Sequence, residues 1–168
     1  EFLTMPFADL KSESYIPAFN LWVTVGTLVC IYMLGRHLSS RRAAWRTVAV
    51  AACIPAIMNM GAAAKTDAIT LFFQLMAIYF VMQYMREKRQ PYLLMGGSAL
   101  ILSYAMKPTA VVFSSLVLVV SVVCLVKHKL VKIRLADRWW ILAIPEVLAL
   151  IGVWARTFFL TGVPVPSV

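Results

Sequence analysis

Polar side chains are scarce over most of this chain, and a few stand where they could do chemistry: Lys65, Asp67, Lys107, Glu146 and Asn59, with Gln74 beside them. Lys65-Thr66-Asp67 is a short polar knot between two long apolar runs. A lysine there can act as a point charge for a phosphate. A carboxylate there can act as a base, a metal ligand or a partner of the lysine. The structural alternatives are equally physical. Asp67 or Thr66 caps a helix, or the Asp67 carboxylate is favoured by the helix dipole. Lys65 and Lys107 then sit at helix C-termini and reach toward headgroups. Glu146 follows Pro145 in the middle of an apolar run. A carboxyl group at that depth must be protonated, paired or turned to water, so it is either a proton or ion site or a buried hydrogen-bonded acid. Asn59 reads as interhelical glue.

The elements that must position these groups are membrane spans. The chain has 168 residues, of which 62% are hydrophobic and 14% charged, and a mean hydropathy of +0.84. A soluble domain has ~45–50% apolar and ~25% charged residues. Six apolar runs, near 16–35, 47–64, 68–85, 91–106, 109–126 and 139–155, approach the ~17–25 residues of a span. In hydrocarbon each must satisfy its own backbone, so each is expected to be helical. The expected fold is an all-α, polytopic helix bundle over 16–156, with an external segment at 1–15 and the start of an external loop at 157–168. Alanines in the second run and Gly96-Gly97-Ser98-Ala99 in the fourth mark helices that pack closely.

Charge sets the orientation. Arg36, Arg41, Arg42 and Arg46 follow the first run, Arg86, Lys88 and Arg89 the third, and Lys127, Lys129, Lys132, Arg134 and Arg138 the fifth. These are twelve of the sixteen Lys and Arg, and the positive-inside rule puts them in the cytoplasm. The net charge of +9 is thus a topology signal, and no nucleic-acid partner is expected. Lys65-Thr66-Asp67 and Lys107-Pro108 fall at the external face, where the two lysines offer cations to one anionic head group. Trp139, Trp140 and Trp154 suit the interfacial belts. The loop from Lys127 to Arg138 is a positive-inside loop or a short lipid-binding piece. His37 and His128 lie in basic loops without ligand spacing. Cys30, Cys53 and Cys124 lie inside apolar runs and behave as small hydrophobes. No zinc cluster, Gly-rich phosphate loop or serine-hydrolase elbow is present, and no cofactor is expected, though a divalent metal remains compatible with the chemistry.

The order of motifs resembles a known family. Ile31-Tyr32-Met33-Leu34-Gly35-Arg36-His37-Leu38 closes the first run. An alanine-rich run, Asp67-Ala68-Ile69-Thr70-Leu71-Phe72-Phe73, and a Gly96-Gly97 run ending in Lys107-Pro108-Thr109 follow. From Tyr15 to Val126 this is similar to the membrane region of GT-C type glycosyltransferases, in the group of dolichyl- or undecaprenyl-phosphate-sugar mannosyl- and arabinosyltransferase-like proteins. The resemblance implies transfer of a sugar from a polyprenyl-phosphate carrier at the external or lumenal face. Basic residues, here Lys65 and Lys107, hold the lipid phosphate, and an acidic residue of the first external loop serves the acceptor. That carboxylate is expected upstream of the chain, so the catalytic residue is unassigned, with Asp67 a weaker candidate and Asp9 and Glu13 given no role. The partners implied are the bilayer, the lipid-linked sugar and the remainder of the same polypeptide. The location implied is a bacterial inner membrane in preference to the endoplasmic reticulum. The start at Glu1 without a signal peptide, and the missing acceptor-selecting region, suggest a fragment inactive by itself. The rival expectations are a transporter or flippase segment with Glu146 and Asn59 on the path, and a non-catalytic membrane subunit.

Overall fold

A computed structural model describes residues 15–62, 66–106, 110–127 and 144–162. Seven helices carry these residues, with no strand among them: α1 Tyr15–Leu38, α2 Arg41–Ala52, α3 Pro55–Ala62, α4 Asp67–Glu87, α5 Gln90–Met106, α6 Ala110–Lys127 and α7 Ile144–Thr161. The protein is an all-α membrane helix bundle. By length and composition Pro17–Leu38 within α1, together with α4 and α6, can each cross a membrane. The packing explains why lipid is the right solvent. Trp22 is 74% exposed, and α6 shows Val112, Val119, Val123 and Val126 to its surroundings. In water such patches would demand a partner; in a bilayer they meet acyl chains.

The second apolar run differs from the single span expected over 47–64. It is two helices, α2 and α3, bent by 73° at a short break. Pro55 is the cause. It has no N–H and its ring keeps the preceding residue out of the α region. The chain answers with a tightened last turn: Cys53 N–H bonds the carbonyls of Ala49 and Val50, and Ile54 N–H bonds that of Ala51. Pro55 then opens α3, where a missing donor costs nothing. At its other end α2 starts at Arg41, earlier than the apolar run, because Ser40 caps it by accepting from Ala43 N–H at 3.3 Å. Three of the arginines expected in a loop are therefore helical.

The remaining bounds fall near the apolar runs, and α7 runs on to Thr161, where Gly162, at φ 71°, caps it by donating its N–H to Phe158 O at 2.8 Å. Its described part starts at Ile144, with Pro145 and Glu146 next in the chain. Trp139, Trp140 and the loop from His128 to Arg138 lie outside the described residues.

The chain forms two compact units, residues 1–75 and 76–168, with α4 running through the division. In the first, α1 packs on α2 and α3. Ala44 and Ala51 are buried there, Gly35 lies against Ala44, and Tyr32 meets Trp45 with ring centroids 4.9 Å apart. In the second, α5 packs on α6 and α7. Gly96 lies against Ala77, Phe80 and Val81, as the close-packing expectation required, whereas Gly97 has no neighbour. Ser103 and Ser114 are fully buried and share a 2.8 Å hydrogen bond between α5 and α6, and Tyr104 and Ser115 make another. The short turn from α4 to α5 closes at Lys88, at φ 58°, whose N–H bonds Tyr84 O, while Arg89 pairs with Glu87 at 3.5 Å.

Candidate functional site

Apart from the Ser103–Ser114 pair of the second unit, the buried polar side chains described lie in the first unit, on one face of α1 and one of α4. On α1, Asn20, Thr24 and Thr27 follow the i, i+4, i+7 spacing of a single helix face, and all three are buried. On α4, Asp67, Thr70 and Gln74 follow i, i+3, i+7; Thr70 and Gln74 are buried and Asp67 is half-buried. Most threonine hydroxyls are satisfied within their own helix. Thr24 donates to Asn20 O at 2.8 Å, Thr27 to Val23 O at 2.9 Å and Thr70 to Thr66 O at 3.0 Å. Such back-bonding lets a hydroxyl sit in an apolar bundle without an external partner.

Two glycines mark where neighbouring helices approach α1. Gly61, at the end of α3, lies so close to Thr24 that a Cβ would stand 3.2 Å from Thr24 Oγ1. Gly26 lies against Phe72 of α4, where a Cβ would be 3.0 Å from the ring. These contacts give the levels. From Gly35, level with Ala44, to Thr24, level with Gly61, α1 rises about 16 Å at ~1.5 Å per residue. The bent pair therefore climbs along α1 as a broken span; a re-entrant loop would have returned Gly61 to the level of Gly35. Phe72 is back at the level of Gly26. Asp67, five residues earlier, stands about 7 Å nearer the outer end, roughly level with Leu21.

Asp67 is the first residue of α4. Thr66 O accepts the opening bond from Thr70 N–H at 3.0 Å, so the cap position belongs to Thr66. Thr66 thus takes the cap position that the sequence offered to it or to Asp67, and the Asp67 carboxylate stands in the first turn, where the helix dipole favours it. Ala68 and Ile69, both 2% exposed, lock this first turn into the unit. Asn59 is exposed on α3, which does not suit a role as interhelical glue. Glu146 follows Pro145 near the start of the described part of α7. Lys65 and Lys107 lie outside the described residues. Asn20, Thr24, Thr27 and Thr70 are uncharged, so only their helical spacing marks them in the sequence.

Asp67 is thus a half-buried carboxylate at the start of α4, on the same helix face as the buried Thr70 and Gln74. The family model for dolichyl-phosphate-mannose-protein mannosyltransferase matches residues 7–155. The chain belongs to this family. No curated protein and no solved structure matches it. The mannosyltransferase family gives the motif resemblance its footing, and it makes the protein an integral membrane member of a glycosyltransferase family. The matched residues include α1 to α6 whole.

Proposed function

We propose that this mannosyltransferase-family protein transfers a sugar from a polyprenyl-phosphate donor to an acceptor at the external face of its membrane. The family match over residues 7–155 carries the proposal. The apolar helices, which suit a lipid-linked donor, support it. Lys65 and Lys107 are proposed as cations for the donor's phosphate, because a fixed positive charge stabilises a phosphate as it leaves. Asp67 is proposed to orient the acceptor hydroxyl, as a positioned carboxylate can. The bacterial inner membrane is the proposed location.

The test uses the intact protein in proteoliposomes with a radiolabelled polyprenyl-phosphate mannose. Wild type is expected to release polyprenyl phosphate and label an acceptor. A lost charge-assisted bond is worth about 1.5–3 kcal/mol, so Lys65→Ala and Lys107→Ala are each expected to slow transfer about 10- to 100-fold. Unchanged rates in both would remove the lysines from the site. Absence of transfer by wild type, with ion-coupled uptake abolished by Glu146→Gln, would favour a transporter instead.

A further inference from the structure

We propose that the arginine face of α2 is a docking surface for anionic phospholipid headgroups of the cytoplasmic leaflet. Four arginines supply it: Arg36 in the last turn of α1, and Arg41, Arg42 and Arg46 on α2. All four are exposed. From Ser14 to Thr66 the sequence has no Asp or Glu, and the ion pair among the described residues is Arg89 with Glu87, in the other unit. The cluster is thus an uncompensated positive patch.

Helix geometry aims it. Ala44 and Ala51 are the buried side of α2, packed toward α1. At ~100° per residue, Arg42 and Arg46 fall on the opposite side, with Arg41 at the flank. Ser40 fixes the start of the helix, and Trp45, tilted against Tyr32 and 57% exposed, stands beside the arginines. An exposed tryptophan with neighbouring guanidinium groups is the composition of a helix that lies in the headgroup layer. The pair climbs along α1 from this end, so the arginines, all at the start of α2, mark the level at which the broken span meets the headgroups. The occupant follows from charge: the cytoplasmic leaflet is the negative surface these residues face, and guanidinium forks match phosphate oxygens.

The experiment titrates the purified intact protein, in neutral-lipid nanodiscs, with phosphatidylglycerol against phosphatidylcholine, and counts bound lipid by native mass spectrometry. Wild type is expected to prefer phosphatidylglycerol and to lose the preference near 1 M salt, where charges are screened beyond about 3 Å. Each arginine near the surface is worth about fivefold in affinity, so the triple variant Arg41→Gln, Arg42→Gln, Arg46→Gln is expected to bind on the order of 100-fold more weakly. The corresponding triple lysine variant is expected to stay within a few-fold of wild type. Equal binding of the two lipids by wild type, or an unchanged glutamine variant, overturns the proposal. So does complete displacement of the lipid by millimolar inorganic phosphate, which would mark a free-phosphate site. Should the glutamine variant fail to fold, the lipid preference of wild type and its salt dependence decide alone.

Discussion

Gly35→Ala is expected to destabilise the bundle where Gly97→Ala does not, and the two glycines make a controlled pair. Both lie inside helices, so alanine gains the same helix propensity at each, about 0.8–1 kcal/mol. Their surroundings differ. A Cβ on Gly35 would stand 3.1 Å from Ala44 Cα and 3.3 Å from Ala44 Cβ, whereas one on Gly97 meets nothing within 4 Å. Carbon atoms prefer about 3.5–4.0 Å, so α2 would have to retreat by a few tenths of an ångström. The nearest clash is with backbone, which cannot rotate away. Retreat is opposed by the Tyr32–Trp45 contact and by the connection through Ser39 and Ser40. Overpacking of this kind costs about 1–3 kcal/mol. Subtracting the propensity gain leaves Gly35→Ala roughly 0–2 kcal/mol less stable than wild type, and Gly97→Ala up to about 1 kcal/mol more stable. Thermal unfolding in a mild detergent, followed by helical circular dichroism, measures the difference. If Gly35→Ala melts at or above Gly97→Ala, the close approach of α1 and α2 is wrong.

Ser114→Ala is expected to cost about 0.6–1 kcal/mol, the usual size of an interhelical hydrogen bond in a membrane. The cost stays low because Ser103 keeps its bond to Leu100 O. Adding Ser103→Ala should then cost little more, and an additive double-mutant cycle by the same unfolding assay would show that the two hydroxyls do not act as a pair. Pro55→Ala is expected to straighten the broken span. With spin labels at the exposed positions Arg42 and Asn59, electron-spin distances should lengthen by about 4 Å, taking ~1.5 Å per residue along each arm; an unchanged distance would place the cause of the bend elsewhere. Asp67→Asn should slow sugar transfer by the intact protein while leaving its melting temperature within a few degrees, since a surface-side helix-dipole contribution is only about 0.3–1 kcal/mol. A large loss of stability with normal transfer would reduce Asp67 to a helix-terminal residue.

Most of the helices were legible in the sequence because a bilayer gives the backbone no alternative. An apolar run bounded by cations had to be a helix, and α4, α5 and α6 begin and end within a residue or two of the apolar runs. The family was legible for a different reason: the Gly35-Arg36, Asp67-to-Phe73 and Lys107-Pro108 motifs sit at span ends, where packing alone does not dictate the residue. What hydropathy hid was the break in the second span. Cys53-Ile54-Pro55 is as apolar as its neighbours, so composition did not register it, although Pro55 carried the signal. The start of α2 was hidden too, since arginines read as loop while Ser40 was placing them on a helix. The polar face of α1 escaped because Asn20, Thr24 and Thr27 are neutral and spread over two turns.

The broken span joins these observations into one arrangement. A straight helix over Arg41 to Gly61 would reach about 30 Å, enough to cross the hydrocarbon. With arms of about 18 and 10 Å set at 73°, the pair reaches only about 23 Å. Its inner arm can therefore rest its arginines at one surface while its outer end stops short of the other. The contact of Gly61 with Thr24, nine residues into α1, is the independent sign of that shortfall. The contact of Phe72 with Gly26 likewise puts the start of α4 several residues into α1, so Asp67 stands roughly level with Leu21. Pro55 thus bears on Asp67 through the length it removes from the span, twelve residues away in sequence. If straightening the span with Pro55→Ala left both transfer and the environment of a label at position 67 unaltered, that link between the bend and the site would be broken.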